Sequence, residues 1–150
     1  ESDTAIYEMQ IDNAMALNEK LPPIKGIYYF SYACDATILA DDGTRSLDPE
    51  LGGGMYKVSG ARLCTYEGVT PSGYVIDEKW QANDGLVNTY SALVPIGAPS
   101  VDYNADSVTT GIWNVMPVMR GNHSTLQGGM TKALNGRIFF VDLLSMINSL

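Results

Sequence analysis

A chain of 150 residues with 45% apolar side chains is long enough to bury the core of one compact domain. Seventeen acidic against nine basic side chains leave a formal charge of −8, a surface that repels phosphates and argues against nucleic acid as a partner. No run approaches the ~18 consecutive apolar residues of a membrane span, since Asp142 interrupts the stretch from Ile138 to Leu144, so no transmembrane segment is expected.

The chain opens at Glu1 with no initiator methionine and no basic or apolar leader, which leaves open a start further upstream that includes a signal peptide. Over residues 12–21, Ala14, Met15, Leu17 and Leu21 recur at helical spacing and Pro22-Pro23 stops the pattern, which predicts a short amphipathic helix. Ile27-Tyr28-Tyr29-Phe30-Ser31-Tyr32-Ala33 is continuously apolar and aromatic rather than alternating, the pattern of a strand buried on both faces. A helix feeding a central strand suggests an α/β fold. Residues 41–73 are rich in glycine (Gly43, Gly52, Gly53, Gly54, Gly60, Gly68 and Gly73) and hold no period, so they predict a long irregular excursion of loops and short strands. Excursions of that length are commonly functional. Thr110-Gly111-Ile112-Trp113-Asn114-Val115-Met116 is a second strand candidate, leading through Pro117 and Arg120-Gly121-Asn122 to His123, the single histidine of the chain. Asn135-Gly136 then breaks the chain ahead of a C-terminal amphipathic helix marked by Ile138, Val141, Leu143, Leu144, Ile147 and Leu150. Cys34 and Cys64 are too few for a disulfide framework; they read as a pair in an exported protein or as two buried thiols.

Asp84 and His123 are the candidates for acid–base chemistry. On composition alone, Asn83-Asp84-Gly85 is a tight turn and a lone loop histidine is solvated. Order and context favour more than that. In α/β hydrolases the acid follows one late strand, the base follows the last strand, and a closing helix packs behind it, in the chain order Ser, Asp, His. The sequence carries the last two in that order. A histidine so placed takes the serine proton during attack on an ester carbonyl, while the aspartate fixes the histidine tautomer and stabilises the imidazolium. No serine sits in a G-x-S-x-G elbow: Ser59 and Ser72 lack the second glycine, and neither cysteine lies in a nucleophile context, so no nucleophile is assigned within the chain.

Several further motifs accompany these two residues. They are Asp3-Thr4-Ala5-Ile6-Tyr7 opening a helix that closes with Leu17-Asn18, then Tyr28-Tyr29-Phe30-Ser31-Tyr32, Pro49-Glu50-Leu51-Gly52, and Trp80 with Asn83-Asp84-Gly85-Leu86-Val87-Asn88-Thr89. With Gly111-Ile112-Trp113-Asn114-Val115-Met116 and His123, they span nearly the whole chain. In this order the chain resembles the C-terminal part of staphylococcal-type and thermoalkalophilic bacterial triacylglycerol lipases. The resemblance implies that residues 1–150 are the C-terminal segment of an α/β-hydrolase lipase domain, with the late strands and closing helix of its sheet. Asp84 would then be the triad acid and His123 the base, with the serine elbow and oxyanion hole N-terminal to Glu1, so that the chain is a fragment inactive alone. Acyl glycerols or smaller esters are the implied substrates, and a secreted or extracellular location is implied with them.

Relatives also hold zinc through two Asp and two His, and Asp3 falls on one such ligand. The other three would lie upstream, so zinc is expected only in a longer protein, and helix N-capping near Asp3 is the structural alternative. The chemistry itself requires no cofactor. A calcium site of the family uses a carbonyl matching Gly52 and carboxylates two and seven residues after the histidine. Those positions are Thr125 and Met130, which offer no charged oxygen, so the departure argues against calcium. Asn122 stands where relatives carry Asp. Tyr56, Tyr66 and Tyr74 are candidates for an acyl-pocket wall, though core or surface packing is the commoner use of tyrosine. Two other readings stand beside the hydrolase: a non-catalytic binding or scaffold module derived from one, and an unrelated extracellular binding domain in which Asp84 and His123 lie far apart. An α/β sheet without its other strands has an open edge and an uncovered apolar face, so self-association of the chain is expected.

Overall fold

In the computed structural model, which describes residues 4–128 and 135–150, the first helical turn is α1 (Ala5–Glu8). Its cap is Thr4, whose hydroxyl accepts a hydrogen bond from the Tyr7 amide at 3.3 Å. α2 (Ile11–Lys20) follows where helical spacing predicts it, and the chain leaves helical geometry at Leu21 because a proline ring crowds the α conformation of the residue before it. β1 (Tyr29–Ser31) and β2 (Cys34–Asp35) occupy the aromatic run and its continuation, and β3 (Thr37–Leu39) and β4 (Arg45–Leu47) make an antiparallel hairpin.

Next comes α3 (Tyr56–Leu63), which corrects the expectation that residues 41–73 hold only loops and short strands. Two turns are too few for a period to register, Gly60 weakens the helical signal, and no side-chain hydrogen bond caps its start. Its buried residues, Tyr56 and Gly60, lie one turn apart on a single face. Beyond it are the antiparallel ribbon of β5 (Gly68–Val69) and β6 (Val75–Ile76), a 3-10 turn over Glu78–Trp80, and α4 (Thr89–Leu93). β7 (Ser100–Asp102), β8 (Trp113–Val115), β9 (Met119–Arg120) and α5 (Gly136–Asn148) complete the order.

β1, β8 and β7 form a three-stranded parallel sheet in that spatial order, with Tyr29 and Ser100 both opposite Trp113. β2 pairs in parallel with β9, and intervening bonds continue the ladder: Met116 N donates to Ser31 O at 3.0 Å and Met119 N to Ala33 O at 2.9 Å. In effect one long parallel pair runs from Tyr29 to Arg120, interrupted at Pro117, which has no amide to offer.

Burial corrects a second expectation. Ile27 and Tyr28 are 45% and 40% exposed, whereas Ser31, Ala33, Cys34, Ala36 and Thr37 are buried. The aromatic run is therefore covered only toward its C-terminal end, where α4 packs beside β2 and α3 beside β4. Ala33, Cys34, Ala36, Tyr56, Cys64 and Trp80 are buried, as is Asn83, which bonds Ala36 and Cys64. The crevice outside the carboxyl ends of parallel strands is also where open α/β sheets build their sites.

Asn135 does more than break the chain: its side-chain oxygen accepts hydrogen bonds from the amides of Arg137 and Ile138, which makes it the N-cap of α5. One face of α5 meets the sheet, with Phe139 packed edge-on against Tyr32 at 5.2 Å between centroids. The opposite face presents Ile138, Phe140, Val141, Leu144 and Ile147 to solvent. A helix apolar on both faces is built to be covered on both. Among the described residues no helix is long and apolar enough to cross a membrane.

Asn114, fully buried in β8, ties the preceding loop to the sheet. Its amide nitrogen donates to Tyr29 O at 3.0 Å and Thr109 O at 2.8 Å, and its oxygen accepts from Thr109 N at 3.1 Å. Asn114→Ala leaves these backbone groups unpaired, and a urea titration is expected to register a loss of about 2 kcal/mol.

Candidate active site

The acid turn is closed on itself before it meets any partner. Asn83 and Asn88 form an antiparallel bridge, and the Asp84 amide donates to Val87 O at 3.0 Å. Asp84 Oδ1 accepts from the amides of Leu86 at 3.0 Å and Val87 at 2.8 Å, so one carboxylate oxygen is committed to the backbone and the other is left for a side-chain partner. That second oxygen, Oδ2, lies 2.8 Å from His123 Nδ1. The main chains are joined as well, His123 N donating to Asp84 O at 2.9 Å. The structure thus brings together the two residues singled out by chain order.

With Asp84 ionised, Nδ1 carries the proton and donates it, which leaves Nε2 as a lone-pair acceptor. Among the described residues Nε2 has no hydrogen-bond partner, and the imidazole side chain is 37% exposed against 13% for Asp84. A carboxylate shielded from water and held by two amides orients the more exposed ring.

Five residues that chain order did not single out build this geometry. Asn83, fully buried, donates through Nδ2 to Gln81 O at 2.9 Å and to Gly60 O at 3.2 Å, and its Oδ1 accepts from Gly85 N at 2.9 Å. Its carbonyl accepts from Ala36 N at 2.8 Å, so one asparagine joins strand, turn and α3. Ser59 donates from its hydroxyl to Gly85 O at 2.5 Å. Gly85 has φ +103°, and a Cβ there would lie 2.6 Å from Tyr56 Cβ, so no larger residue fits. On the other side, Asn122 fastens the base loop: its Nδ2 donates to Leu51 O at 2.9 Å and its Oδ1 accepts from Ser124 N at 3.0 Å. Arg120, which leads into that loop, pairs with Asp48 at 2.6 Å and donates to the Thr37 carbonyl. The signal that would have found Asn83 and Asn122 is their position: each directly precedes a site residue.

The metal expectations meet this geometry unevenly. Asp3 and Met130 lie outside the described residues. Thr125 is 1% exposed and its hydroxyl accepts from Asn122 N at 2.9 Å, while the Gly52 amide donates to Asp48 O at 2.8 Å. Among the described residues no group of three or more His, Cys, Asp or Glu side chains is placed to hold a metal ion. These residues do not form a cation site of charged oxygens, and no step of the chemistry is routed through one.

Of the three tyrosines considered for a pocket wall, Tyr56 packs at the imidazole, its ring centroid 6.5 Å from that of His123. Tyr74 packs edge-on against Trp80 instead, and Tyr66 is 45% exposed. Cys34 and Cys64 are free and buried. Burial first, then the charges of Asp84 and Asp35, pushes the Cys34 thiol up to about 11, and burial raises that of Cys64. A thiol so shifted is a poor nucleophile at neutral pH.

No family model matches the chain. It is 30% identical over 151 aligned residues to a lipase from Staphylococcus hyicus, an alignment covering 99% of this chain and 22% of that lipase. Among solved structures, EstA from Clostridium botulinum superposes over the whole chain with a TM-score of 0.87 and 26% identity. The Staphylococcus hyicus lipase matches 99% of the chain with a TM-score of 0.77 and 25% identity, and lipase 1 from Pelosinus fermentans 96% with 0.75 and 26%. The chain spans about a third of each structure, at 35%, 36% and 39% of their lengths.

The raised Cys34 thiol leaves about one thiolate in a thousand at pH 8. Native protein treated with iodoacetamide at that pH is expected to keep Cys34 unmodified by intact mass, whereas the urea-unfolded chain takes up two labels. Rapid native labelling at Cys34 would contradict its buried placement.

Proposed function

Because the chain is homologous to the C-terminal part of the Staphylococcus hyicus lipase and its structural neighbours include lipases of that type, we propose that it is the acid-and-base segment of a carboxylic-ester hydrolase. Asp84 is the acid and His123 the base of a Ser-His-Asp triad. The observation that carries this reading is the 2.8 Å contact between Asp84 Oδ2 and His123 Nδ1, which leaves Nε2 without a hydrogen-bond partner among the described residues. The third reading, an unrelated binding domain, required these two residues to lie far apart, and this contact argues against it.

In the proposed reaction, Nε2 takes the proton of the serine hydroxyl as its oxygen attacks the ester carbonyl. The imidazolium, stabilised by Asp84, then returns the proton to the departing alcohol, leaving an acyl-serine. Water discharges the acyl group with His123 acting as base a second time. The serine and the oxyanion donors come from polypeptide upstream of Glu1, in the domain of which residues 1–150 are the C-terminal segment. β1, β2, β8 and β9 are read as late strands of an α/β-hydrolase sheet and α5 as its closing helix. Two features support an upstream portion packed here: β1 is a sheet edge among the described strands, and the outer face of α5 is apolar and exposed. Acyl glycerols or short esters are the proposed substrates and a secreted location goes with them; zinc, through Asp3, belongs to this proposal only for the longer protein.

A second reading, a hydrolase-derived module without catalysis, is favoured by one observation. Among the described residues no hydroxyl or thiol hydrogen-bonds Nε2: Ser59 bonds Gly85, Ser72 bonds Asp12 and Ser124 bonds Tyr56. Hydrolysis of a short p-nitrophenyl ester separates the two readings. In the longer enzyme, His123→Ala and Asp84→Asn are each expected to lower kcat by about 10³ to 10⁴-fold, and the 150-residue chain alone is expected to be inactive. No turnover in the longer protein would favour the module, and unchanged turnover in either variant would remove that residue from the triad.

The open faces generate a separate expectation. Light scattering of the isolated chain is expected to give a mass that rises with concentration above the 16.2 kDa monomer. A monomer at all concentrations would remove the argument for a covering segment.

A further inference from the structure

We infer that the hydrogen bond between the Tyr56 and Ser124 hydroxyls is a latch that positions His123, referring the base loop and the acid turn to one side chain of α3. It rests on the triad reading for the word base, but not for its geometry. Tyr56 is the first residue of α3 and is 8% exposed. Its Cβ touches the acid turn, where a side chain on Gly85 would approach it to 2.6 Å. Its ring lies 6.5 Å from the His123 imidazole, inclined at 60°, and its hydroxyl meets that of Ser124, the residue after the histidine. One side chain therefore spans from the turn that holds Asp84 to the loop that holds His123.

The loop that carries His123 is held by local turns and by longer ties on either side of the histidine. After β9, residues 121–128 belong to no helix or strand, and among themselves they make only short-range turn bonds such as Thr125 N to Asn122 O and Gln127 N to Ser124 O. Its ties to distant parts of the chain include Gly121 N to Asp35 O, Asn122 to Leu51 O, His123 to Asp84 and Ser124 to Tyr56. Asn122 fixes the residue before the histidine and Tyr56 the residue after it. α3 is a firm place to fasten this loop, because Ser59 and Asn83 already bind it to the acid turn. Anchoring both neighbours narrows the positions open to the imidazole, and errors of about 1 Å in such a group cost on the order of 10²-fold in rate.

His123 is the single histidine, so its imidazole can be followed by nuclear magnetic resonance in this chain without any nucleophile. The wild type is expected to show a hydrogen-bonded Nδ1 proton slow to exchange with water. Tyr56→Phe keeps the ring against Gly85 and removes only the latch; exchange of the Nδ1 proton is expected to accelerate by about tenfold. Ser124→Ala is expected to do the same, the double variant no more than either single one, and backbone amide spectra away from residues 121–128 and from the neighbourhood of Tyr56 and Gly85 to stay unchanged. Exchange rates within about twofold of wild type in both single variants would overturn the latch. So would acceleration in Tyr56→Phe alone, which would assign the effect to the ring, or loss of the whole amide spectrum in both variants, which would assign the bond to folding. Loss of esterase activity in His123→Ala tests the base role separately, so failure of the latch and failure of the triad reading are distinguishable.

Discussion

Two glycines that face one another allow α3 and the acid turn to touch: a Cβ on Gly60 would lie 3.0 Å from the Gly85 Cα and closer still to the side chain of Leu47. With both side chains reduced to hydrogen, backbone meets backbone, and the short-range bonds of Asn83 and Ser59 become available. Asn83 then spans helix, turn and strand with all of its polar atoms occupied, which is the condition under which a buried amide stabilises rather than destabilises a core. Asp84 inherits its orientation from this contact, and His123 inherits its own from Asp84.

That arrangement explains what was and was not legible beforehand. The helix over residues 12–21, the strands around Tyr29 and Trp113 and the C-terminal helix were readable because a period or an unbroken apolar run persists long enough to leave a pattern. α3 was not, since eight residues with a central glycine resemble a loop, and its importance comes from what it touches rather than from its own amphipathicity. Asp84 and His123 were legible through their order along the chain, which reflects topology. The supporting bonds of Asn83 and Asn122 were not, because a buried asparagine and a solvated one look alike until tertiary contacts define their surroundings, and Tyr56 was named only as a pocket-wall candidate. The aromatic run beginning at Ile27 misled in the opposite direction: its composition describes a strand covered on both faces, and among the described residues it is covered on one part only.

Burial is distributed accordingly. Side chains with the lowest exposure include Asn83, Asn114 and Thr125, all polar, whereas Ile138, Val141 and Leu144 on α5 are each more than half exposed. A chain that seals polar groups at its centre while leaving aliphatic ones outside has placed order where geometry matters and left its surface for contact. The polar centre specifies the angle between turn and loop, and the apolar exterior contributes to neither.

The pairing of β1 with β8 also bears on how the chain reaches this state. Asn114 bonds the Tyr29 carbonyl across 85 positions of sequence, and Asp84 lies within the intervening segment. Closing so large a ring sacrifices chain entropy before any local contact compensates for it, and parallel pairs joined in this way give a high contact order. His123 lies three residues beyond the end of β9, so the strand that pairs with β2 also sets where His123 meets Asp84. Pairing of β9 with β2 carries His123 to Asp84, so the geometry of the pair depends on the sheet as well as on the attraction between imidazole and carboxylate.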